Sequence, residues 1–201
     1  MKKGCIIWII VGVIIILVVL GFVSWGTRTY NQMVTLQEAV TSQWGNVETQ
    51  YQRRIDLVGN LVNTVKGSSD FEKSTLTEIT EARAKAGSVK VDASSSQAQV
   101  QQYVEAQNQM NSALSRLLVT VEAYPNIKST DAYRDLMSQL EGTENRIQVA
   151  RSDFNNTARP YNTRIQTFPT NVIANLFGFS QRAYFESQEG ADKAPTVDFS
   201  N

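Results

Sequence analysis

Apolar residues recur at intervals of three and four along most of the chain. This spacing places them on one face of an α-helix. It predicts a first helix from about Arg28 to Lys66, a second over residues 70–86, a third that ends at Tyr124 and a fourth from about Ser129. Pro160 is expected to bend or break the fourth helix. Four amphipathic helices joined by short turns predict an all-α fold, an antiparallel four-helix bundle with up-down-up-down topology.

The first helix is preceded by a long apolar segment. Residues 4–27 contain no charged side chain, and 24 residues of helix span roughly 36 Å, enough to cross a bilayer. Trp8 and Trp25 lie near its two ends, where indole rings favour the membrane interface. We therefore predict a transmembrane helix that continues into the first helix. A cleaved signal peptide is the alternative, although this apolar run is longer than a signal sequence needs.

These patterns divide the chain into four parts. They are a short N-terminal tail at 1–3, the transmembrane helix at 4–27, the helical bundle at 28–179 and a polar C-terminal tail at 180–201. Lys2 and Lys3 precede the span and only Arg28 follows it closely. The positive-inside rule then favours a cytoplasmic N-terminus with the bundle on the outer side of the membrane. A cytoplasmic bundle is the alternative.

Composition argues against several kinds of function. The 201 residues carry 19 Lys and Arg against 19 Asp and Glu, and a net charge of zero does not favour nucleic-acid binding. The chain has no His and one Cys, so a zinc or other transition-metal site has almost no ligands, and Ser-His-Asp and Cys-His catalysis are excluded. We expect no catalytic residue, no cofactor and no metal, and hence no enzyme.

Polar residues interrupt the apolar faces of the first and fourth helices. In the first helix, Arg54 lies within the apolar face. In the fourth helix, polar residues form a line along the edge of the apolar face: Glu144, Arg151, Asn155 and Asn162. A buried arginine needs a carboxylate close by. Helical rise puts Arg54 at ~39 Å and Glu144 at ~36 Å above the membrane, and Arg151 at ~25 Å near Glu48 at ~30 Å. We predict two ion pairs that fix helix register, Arg54–Glu144 and Arg151–Glu48; a polar ligand pocket is the alternative.

The opposite face of the first helix carries Arg53, Asp56 and Asn60. Such residues ordinarily form a solvated surface. A subunit interface is the alternative, since packing within one chain does not explain them.

Several ordered motifs resemble the LemA family of bacterial membrane proteins. They are "QRRIDLVGNLVNTVKG", "EARAKA", "EAYPNIKS", "LEGTENRIQVARSDFNNTARPYN", "TFPTNVIANLFGF" and "APTVDF". The resemblance implies one N-terminal membrane helix in the bacterial inner membrane, a four-helix up-and-down bundle and no established molecular activity. Gly59, where the family often has proline, and Pro160 depart from its pattern and put the straightness of two helices in doubt. The family is often described with its short N-terminus outside the cell, contrary to the charge count.

The polar positions that match the family have no assigned catalytic role there. They are Arg53, Arg54, Asp56, Asn60, Lys66, Arg83, Tyr124, Pro125, Thr143, Glu144, Arg151, Asn155, Tyr161, Asn162, Phe168 and Pro169.

The function favoured by these features is a non-enzymatic, membrane-anchored scaffold that acts through protein–protein contacts as a homo-oligomer. Its expected partners are the lipid bilayer and further copies of the chain, with no nucleic acid. The candidate contacts are Arg53, Asp56 and Asn60 together with Pro195, Val197 and Phe199 of the tail. The alternative is a sensor or ligand-binding module that signals through a partner membrane protein.

Overall fold

The protein is described by a computed structural model that covers residues 3–67 and 71–186, with side chains from residue 8 onward. Over these two ranges the chain is all-helical and contains no β-strand. The helices are α1 (Lys3–Lys66), α2 (Lys73–Ser88), α3 (Gln97–Val121), α4 (Pro125–Lys128), α5 (Asp131–Gln166) and α6 (Thr170–Leu176).

Helix α1 is a single helix of 64 residues, as the unbroken apolar spacing predicts. From Trp8 to Val23 its apolar side chains are exposed, and one face becomes buried from Thr29 onward. This helix is long and apolar enough near the N-terminus to cross a membrane. The same helix therefore provides both the apolar N-terminal segment and one wall of the helical domain.

Helix α1 packs along α5, while α2 packs on α3 and also contacts α1. Helices α1 and α5 run antiparallel, because residue numbers fall along one as they rise along the other at each point of contact. The rings of Trp44 and Phe154 lie 5.3 Å apart, and Arg164 Nη2 donates to Gln32 Oε1 at 2.6 Å. Moving along α5 towards its C-terminus therefore corresponds to moving along α1 towards its N-terminus.

The buried apolar side chains form two clusters. The lower core, nearer the apolar N-terminal segment, includes Met33, Val40, Trp44, Tyr51, Tyr103, Ile147, Phe154, Tyr161 and Phe185. The upper core includes Ile55, Leu61, Val65, Phe71, Ile79, Met110, Leu117 and Leu140. Arg54 and Gln107 lie between them and are 3% and 1% exposed, so a polar layer interrupts the interior.

Two helix boundaries differ from the predictions. Helix α2 begins at Lys73, three residues later than predicted, because Phe71 is buried in the upper core with its ring 5.0 Å from that of Tyr124. The sequence also predicts a capping box between Ser69 and Glu72 at the start of this helix, but Ser69 lies outside the described residues. Helix α3 ends at Val121, and a short α4 with Pro125 at its start precedes α5.

Helix α5 runs through Pro160 without a break, so of the two predicted effects a break does not occur and a bend stays a prediction. Proline removes one backbone donor, which leaves the carbonyl of residue 156 without its usual partner. Both Pro160 and Asn156 are exposed, so water can satisfy that carbonyl and the helix can continue.

Gly59 lies beneath the Arg83 side chain, where α2 contacts α1. A Cβ at this position would lie 2.9 Å from Cζ of Arg83, whose Nε donates to the backbone carbonyl of Ile55 at 2.9 Å. This carbonyl is four residues before Gly59, so it is the acceptor that a proline at position 59 would leave without its helical donor. Glycine at position 59 leaves the Arg83 guanidinium room to make this bond.

Candidate functional site: the strap, the buried arginine and the α1–α2 groove

The chain continues past α6 as an extended segment, residues 180–186, which we call the strap. Gly178 has φ +75°, a left-handed conformation that suits glycine and turns the chain out of α6. The strap hydrogen-bonds with residues of both α3 and α5 and lies between them. The predicted division between a bundle ending at 179 and a polar tail from 180 is therefore corrected: the packed domain extends to Glu186.

Three side-chain amides hold the strap. The Oδ1 of Asn162 accepts from the Arg182 N–H, and its Nδ2 donates to the Arg182 carbonyl, both at 2.8 Å. Asn155 does the same with Phe185, at 2.9 and 2.8 Å, and Gln97 with Tyr184, at 3.0 Å for both bonds. Each amide satisfies the donor and the acceptor of one backbone residue, as a neighbouring β-strand would.

Phe185 is the apolar anchor of the strap. Its side chain is 5% exposed, and its ring is stacked on Trp44 at 5.6 Å and edge-on to Phe154 at 5.4 Å. The strap, whose backbone at residues 182, 184 and 185 is bound by side-chain amides, thus also completes the lower core. Its removal would uncover Trp44 and Phe154 together.

Arg151, on α5, binds the strap and not Glu48, which corrects the predicted Arg151–Glu48 pair. Its Nη2 donates to the Glu186 carbonyl at 2.9 Å, and its Cζ lies 5.2 Å from the centre of the Phe185 ring. No ion pair joins Arg151 to Glu48, both of which are in the described ranges. The strap occupies the groove beside α5, so the guanidinium finds a backbone carbonyl and an aromatic face there.

Arg54 lies in the polar layer between the two cores. Its Nη1 is 2.8 Å from Glu144 Oε2, as the comparison of helix heights predicts, and its Nη2 donates to Gln107 Oε1 at 2.7 Å. Its Cζ lies 5.1 Å from the centre of the Tyr51 ring. Helices α1, α3 and α5 therefore meet at one guanidinium. Glu144 is 40% exposed, so only the cation of this pair is fully buried.

The polar layer leaves two groups unsatisfied. Arg54 Nε and Gln107 Nε2 are buried and have no hydrogen-bond partner within the part of the chain that the structure describes. Such groups cost stability that an apolar pair would not. The arrangement fixes which helices meet and at what height. Register is therefore the role that this geometry favours for Arg54.

Two tyrosines border Arg54, with rings 5.1 Å apart. Burial raises the pKa of Tyr51 above its usual value, and the positive charges of Arg151 and Arg54 oppose that rise. Burial also raises the pKa of Tyr103, and Tyr51 adds to that rise. Both phenols therefore stay protonated in the folded chain at a pH that deprotonates an exposed tyrosine.

We expect the chain to unfold in alkali as a consequence. Because the folded pKa values of Tyr51 and Tyr103 exceed the ordinary value of 10.0, their contribution to stability is intact below pH 10 and is lost as the pH rises through the folded values. Absorbance at 295 nm and circular dichroism should change together above pH 10, and Tyr103→Phe should move the midpoint to higher pH. Ionisation of all seven tyrosines near pH 10 with an unchanged helical spectrum would contradict this.

The predicted interface residues lie at a groove between α1 and α2. Asp56 and Asn60 line this groove of about 390 Å³ together with Gly59, Asn63, Lys66 and Arg83. Asp56 accepts from Gln52 Nε2 at 3.0 Å on the same helix. Arg53 is exposed but is not among the residues lining the groove. The structure thus brings two of the three predicted residues together with two cationic side chains.

The other predicted contacts, Pro195, Val197 and Phe199, lie outside the described residues. Within the described ranges, no group of three or more His, Cys, Asp or Glu side chains is arranged to hold a metal ion.

Sequence reasoning missed the strap, although one signal pointed to it. Asn155 and Asn162 lie two turns apart, on the same edge of α5 as Arg151. Side-chain amides at that spacing match a partner that offers a backbone N–H and carbonyl every few residues. The strap itself is too short to show a hydrophobic period, so only the side of α5 that receives it carried a signal.

Comparison with known proteins now identifies the family. The sequence profile of the LemA family matches residues 43–199. The chain belongs to the LemA family. The matched region includes the polar layer, the α1–α2 groove and the strap.

Relatives of this LemA-family protein extend the match towards the N-terminus. The magnetosome proteins MamQ 1 and MamQ 2 of Paramagnetospirillum magneticum are each 30% identical over 198 residues, covering 90% of this chain and 73% of theirs. Protein LemA of Metamycoplasma hominis is 25% identical over 159 residues, covering 79% of this chain and 69% of its own. With the apolar segment of α1, these matches make the chain a membrane-associated protein whose molecular role the family name does not give.

Proposed function

We propose that this LemA-family protein is a non-enzymatic scaffold that is anchored in a membrane by residues 4–27 and acts through protein–protein contacts as a homo-oligomer. Its helical domain is then an up-down-up-down four-helix bundle of α1, α2, α3 and α5. The antiparallel packing of α1 on α5 and the packing of α2 on α3 and α1 support this arrangement. The strap fills the remaining side, between α3 and α5.

One observation carries the proposal: the polar residues of the α1–α2 groove face solvent, whereas those of the helix seams bind one another or the strap. Asp56 and Asn60 are exposed and adjoin Arg83 and Lys66 in an open groove. Arg54, Asn155 and Asn162 are instead engaged inside the domain. A groove with both charge signs suits a protein surface of mixed polarity, as the rims of protein interfaces do.

The tail provides the second proposed contact. Residues 187–201 follow Glu186, whose carboxylate accepts from Gln97 and Gln101 at 3.0 and 3.3 Å on the surface of α3. The tail therefore starts from the side of the domain and not from its end. In this proposal Pro195, Val197 and Phe199 bind a neighbouring copy.

The mass of the full-length protein, extracted gently from native membranes and measured by light scattering, tests the proposal. We expect a multiple of 22.4 kDa, and we expect Asp56→Ala/Asn60→Ala to reduce the mass of the assembly. Asp135→Ala, an exposed position on α5, should leave it unchanged. A monomeric wild type would overturn the homo-oligomer, and an unchanged assembly in the double variant would remove the groove from the interface.

We also propose that the helical domain faces the outer side of the bacterial inner membrane, on the support of Lys2 and Lys3 before the span. Protease added to spheroplasts should then digest the domain. Digestion only after the cells are lysed would place it in the cytoplasm.

A further inference from the structure

Helix α6 has an apolar outer face that no residue of the described ranges 3–67 and 71–186 covers. Thr170 and Ala174 turn inward and are 3% and 1% exposed. The outward side chains are Phe168, Val172, Leu176 and Phe177, which are 78%, 60%, 77% and 59% exposed. Val172 and Leu176 are four residues apart and lie on one side of α6, while Phe168 precedes the helix and Phe177 follows it. Large apolar side chains grouped in this way mark a binding surface.

This face lies beside the point where α1 leaves its apolar segment. Ile173 Cδ1 is 4.0 Å from where a Cβ of Gly26 would be, and the ring of Phe177 is 4.9 Å from that of Tyr30. Helix α6 therefore packs against the turn of α1 that directly follows residues 4–27. The apolar surface of α1 and the apolar face of α6 are continuous.

The register of α5 on α1 also places the end of α5 at the height where the charge-free segment of α1 ends. Arg164 contacts Gln32, and two further residues bring Gln166, the last residue of α5, level with Tyr30, three residues beyond the charge-free segment of α1. The chain from residue 165 to 181 also carries no charged side chain. Two uncharged segments, one from each end of the domain, thus meet at one level.

We propose that α6 lies in the membrane interface and inserts Phe168, Val172 and Leu176 among the lipids beside the transmembrane helix. This rests on the proposed membrane anchor, because a span over residues 4–27 puts residues 26–30 at the bilayer surface. Short apolar faces with aromatic side chains partition to that depth, where Trp25 and Tyr30 also lie. A second copy is a poorer occupant, because a bilayer at this level would already surround the site.

The consequence is a two-point attachment. A single helix leaves a domain free to tilt about its exit point, whereas α6 adds a contact on the α5 side of α1. The helical domain is then held at a defined angle to the membrane. This angle decides which of its faces, including the α1–α2 groove, are presented to other proteins.

Depth-dependent fluorescence quenching tests the inference on the full chain. A Cys5→Ser background carries one new cysteine, Val172→Cys, Val149→Cys or Leu17→Cys, labelled with an environment-sensitive dye. Each variant is reconstituted into vesicles of phosphatidylcholine and phosphatidylglycerol. Val149 is a matched control, since it is a valine that is also 60% exposed, on α5 but ~22 Å farther from the membrane than Arg164. Leu17, 63% exposed, reports on the transmembrane segment itself.

We expect lipids with a nitroxide near the headgroup to quench the dye at residue 172 at least about twofold more than at residue 149. Lipids with a nitroxide deep in the acyl chain should quench most strongly at residue 17. Equal quenching at 172 and 149, with residue 17 quenched, would overturn the α6 inference and leave the anchor intact. No quenching at residue 17 would overturn the anchor as well. The dye at residue 172 could instead be shielded from water but not quenched by the labelled lipids, and become exposed to water when the protein is diluted with more lipid. That result would mean that a second copy covers α6, and it would also overturn the inference.

Discussion

Replacing Phe185 with alanine is expected to destabilise the helical domain by about 3–5 kcal/mol, the usual cost of removing a buried aromatic side chain. The ring is 5% exposed and contacts Trp44 and Phe154, so its loss leaves a cavity in the lower core. Thermal unfolding of the full chain in detergent, followed by circular dichroism, should show a midpoint lower by roughly 10 °C.

Val149→Ala is the control, because that apolar side chain is 60% exposed on α5, away from the membrane, and its removal should change stability by less than about 0.5 kcal/mol. A second variant separates the backbone clamp from the buried ring. Asn162→Asp keeps the acceptor for the Arg182 N–H but sets an oxygen against the Arg182 carbonyl, at an expected cost of about 1–3 kcal/mol. If Phe185→Ala unfolds at the wild-type temperature, the strap does not complete the core in solution.

Removing Glu144 is expected to cost more than removing its partner. In Glu144→Ala the cation of Arg54, which is 3% exposed, loses its carboxylate and keeps only Gln107 and the Tyr51 ring. We expect a loss of about 3 kcal/mol, at the low end for a broken buried pair because Glu144 is 40% exposed and water can enter. In Arg54→Met the remaining carboxylate can be hydrated, so the cost falls to about 1–2 kcal/mol, most of it from the unpaired Gln107.

Urea unfolding of Glu144→Ala, Arg54→Met and the double variant Arg54→Met/Gln107→Leu measures their free energies of unfolding relative to the wild type. The double variant should approach wild-type stability, because it removes the buried cation, its amide partner and both unsatisfied nitrogens at once. Glu141→Ala, at an exposed position on the same helix, should stay within about 0.5 kcal/mol. Glu144→Ala behaving like Glu141→Ala would mean that Arg54 does not depend on the carboxylate.

The candidate site shows where sequence reasoning succeeds for a polar residue inside a helix. Arg54 and Glu144 lie on long regular helices, and a constant rise per residue converts sequence position into height. This conversion is sufficient to predict that the Arg54 and Glu144 side chains meet. Gln107 was not foreseen as the third member, because its position in an apolar heptad pattern is also that of an ordinary packed side chain.

Arg151 shows where the same reasoning fails. Its height suggested Glu48, but a height does not tell which side of α5 is covered by another segment. The strap reaches Arg151 from 35 residues further along the chain, through the Glu186 carbonyl. Backbone groups are the same for every residue type, so a segment recognised through them leaves no trace in its own composition.

Helix α6 was equally difficult to interpret from sequence. Its apolar residues lie in the motif "TFPTNVIANLFGF", but seven helical residues with apolar groups on two sides do not tell which side is buried. The packing of Thr170 and Ala174 on the domain decides this, and it leaves Val172 and Leu176 outside.

The sequence by itself determined the helical class, the continuous helix from the apolar segment to Lys66, the family and the meeting of Arg54 with Glu144. All of these depend on period, length or rise, which are local properties of a helix and follow from residue spacing. Only the tertiary structure decided the course of residues 180–186, the true partners of Arg151, Asn155 and Asn162, and the exposed side of α6. These depend on which surfaces remain uncovered once the long helices have packed, and no local pattern in the chain records that.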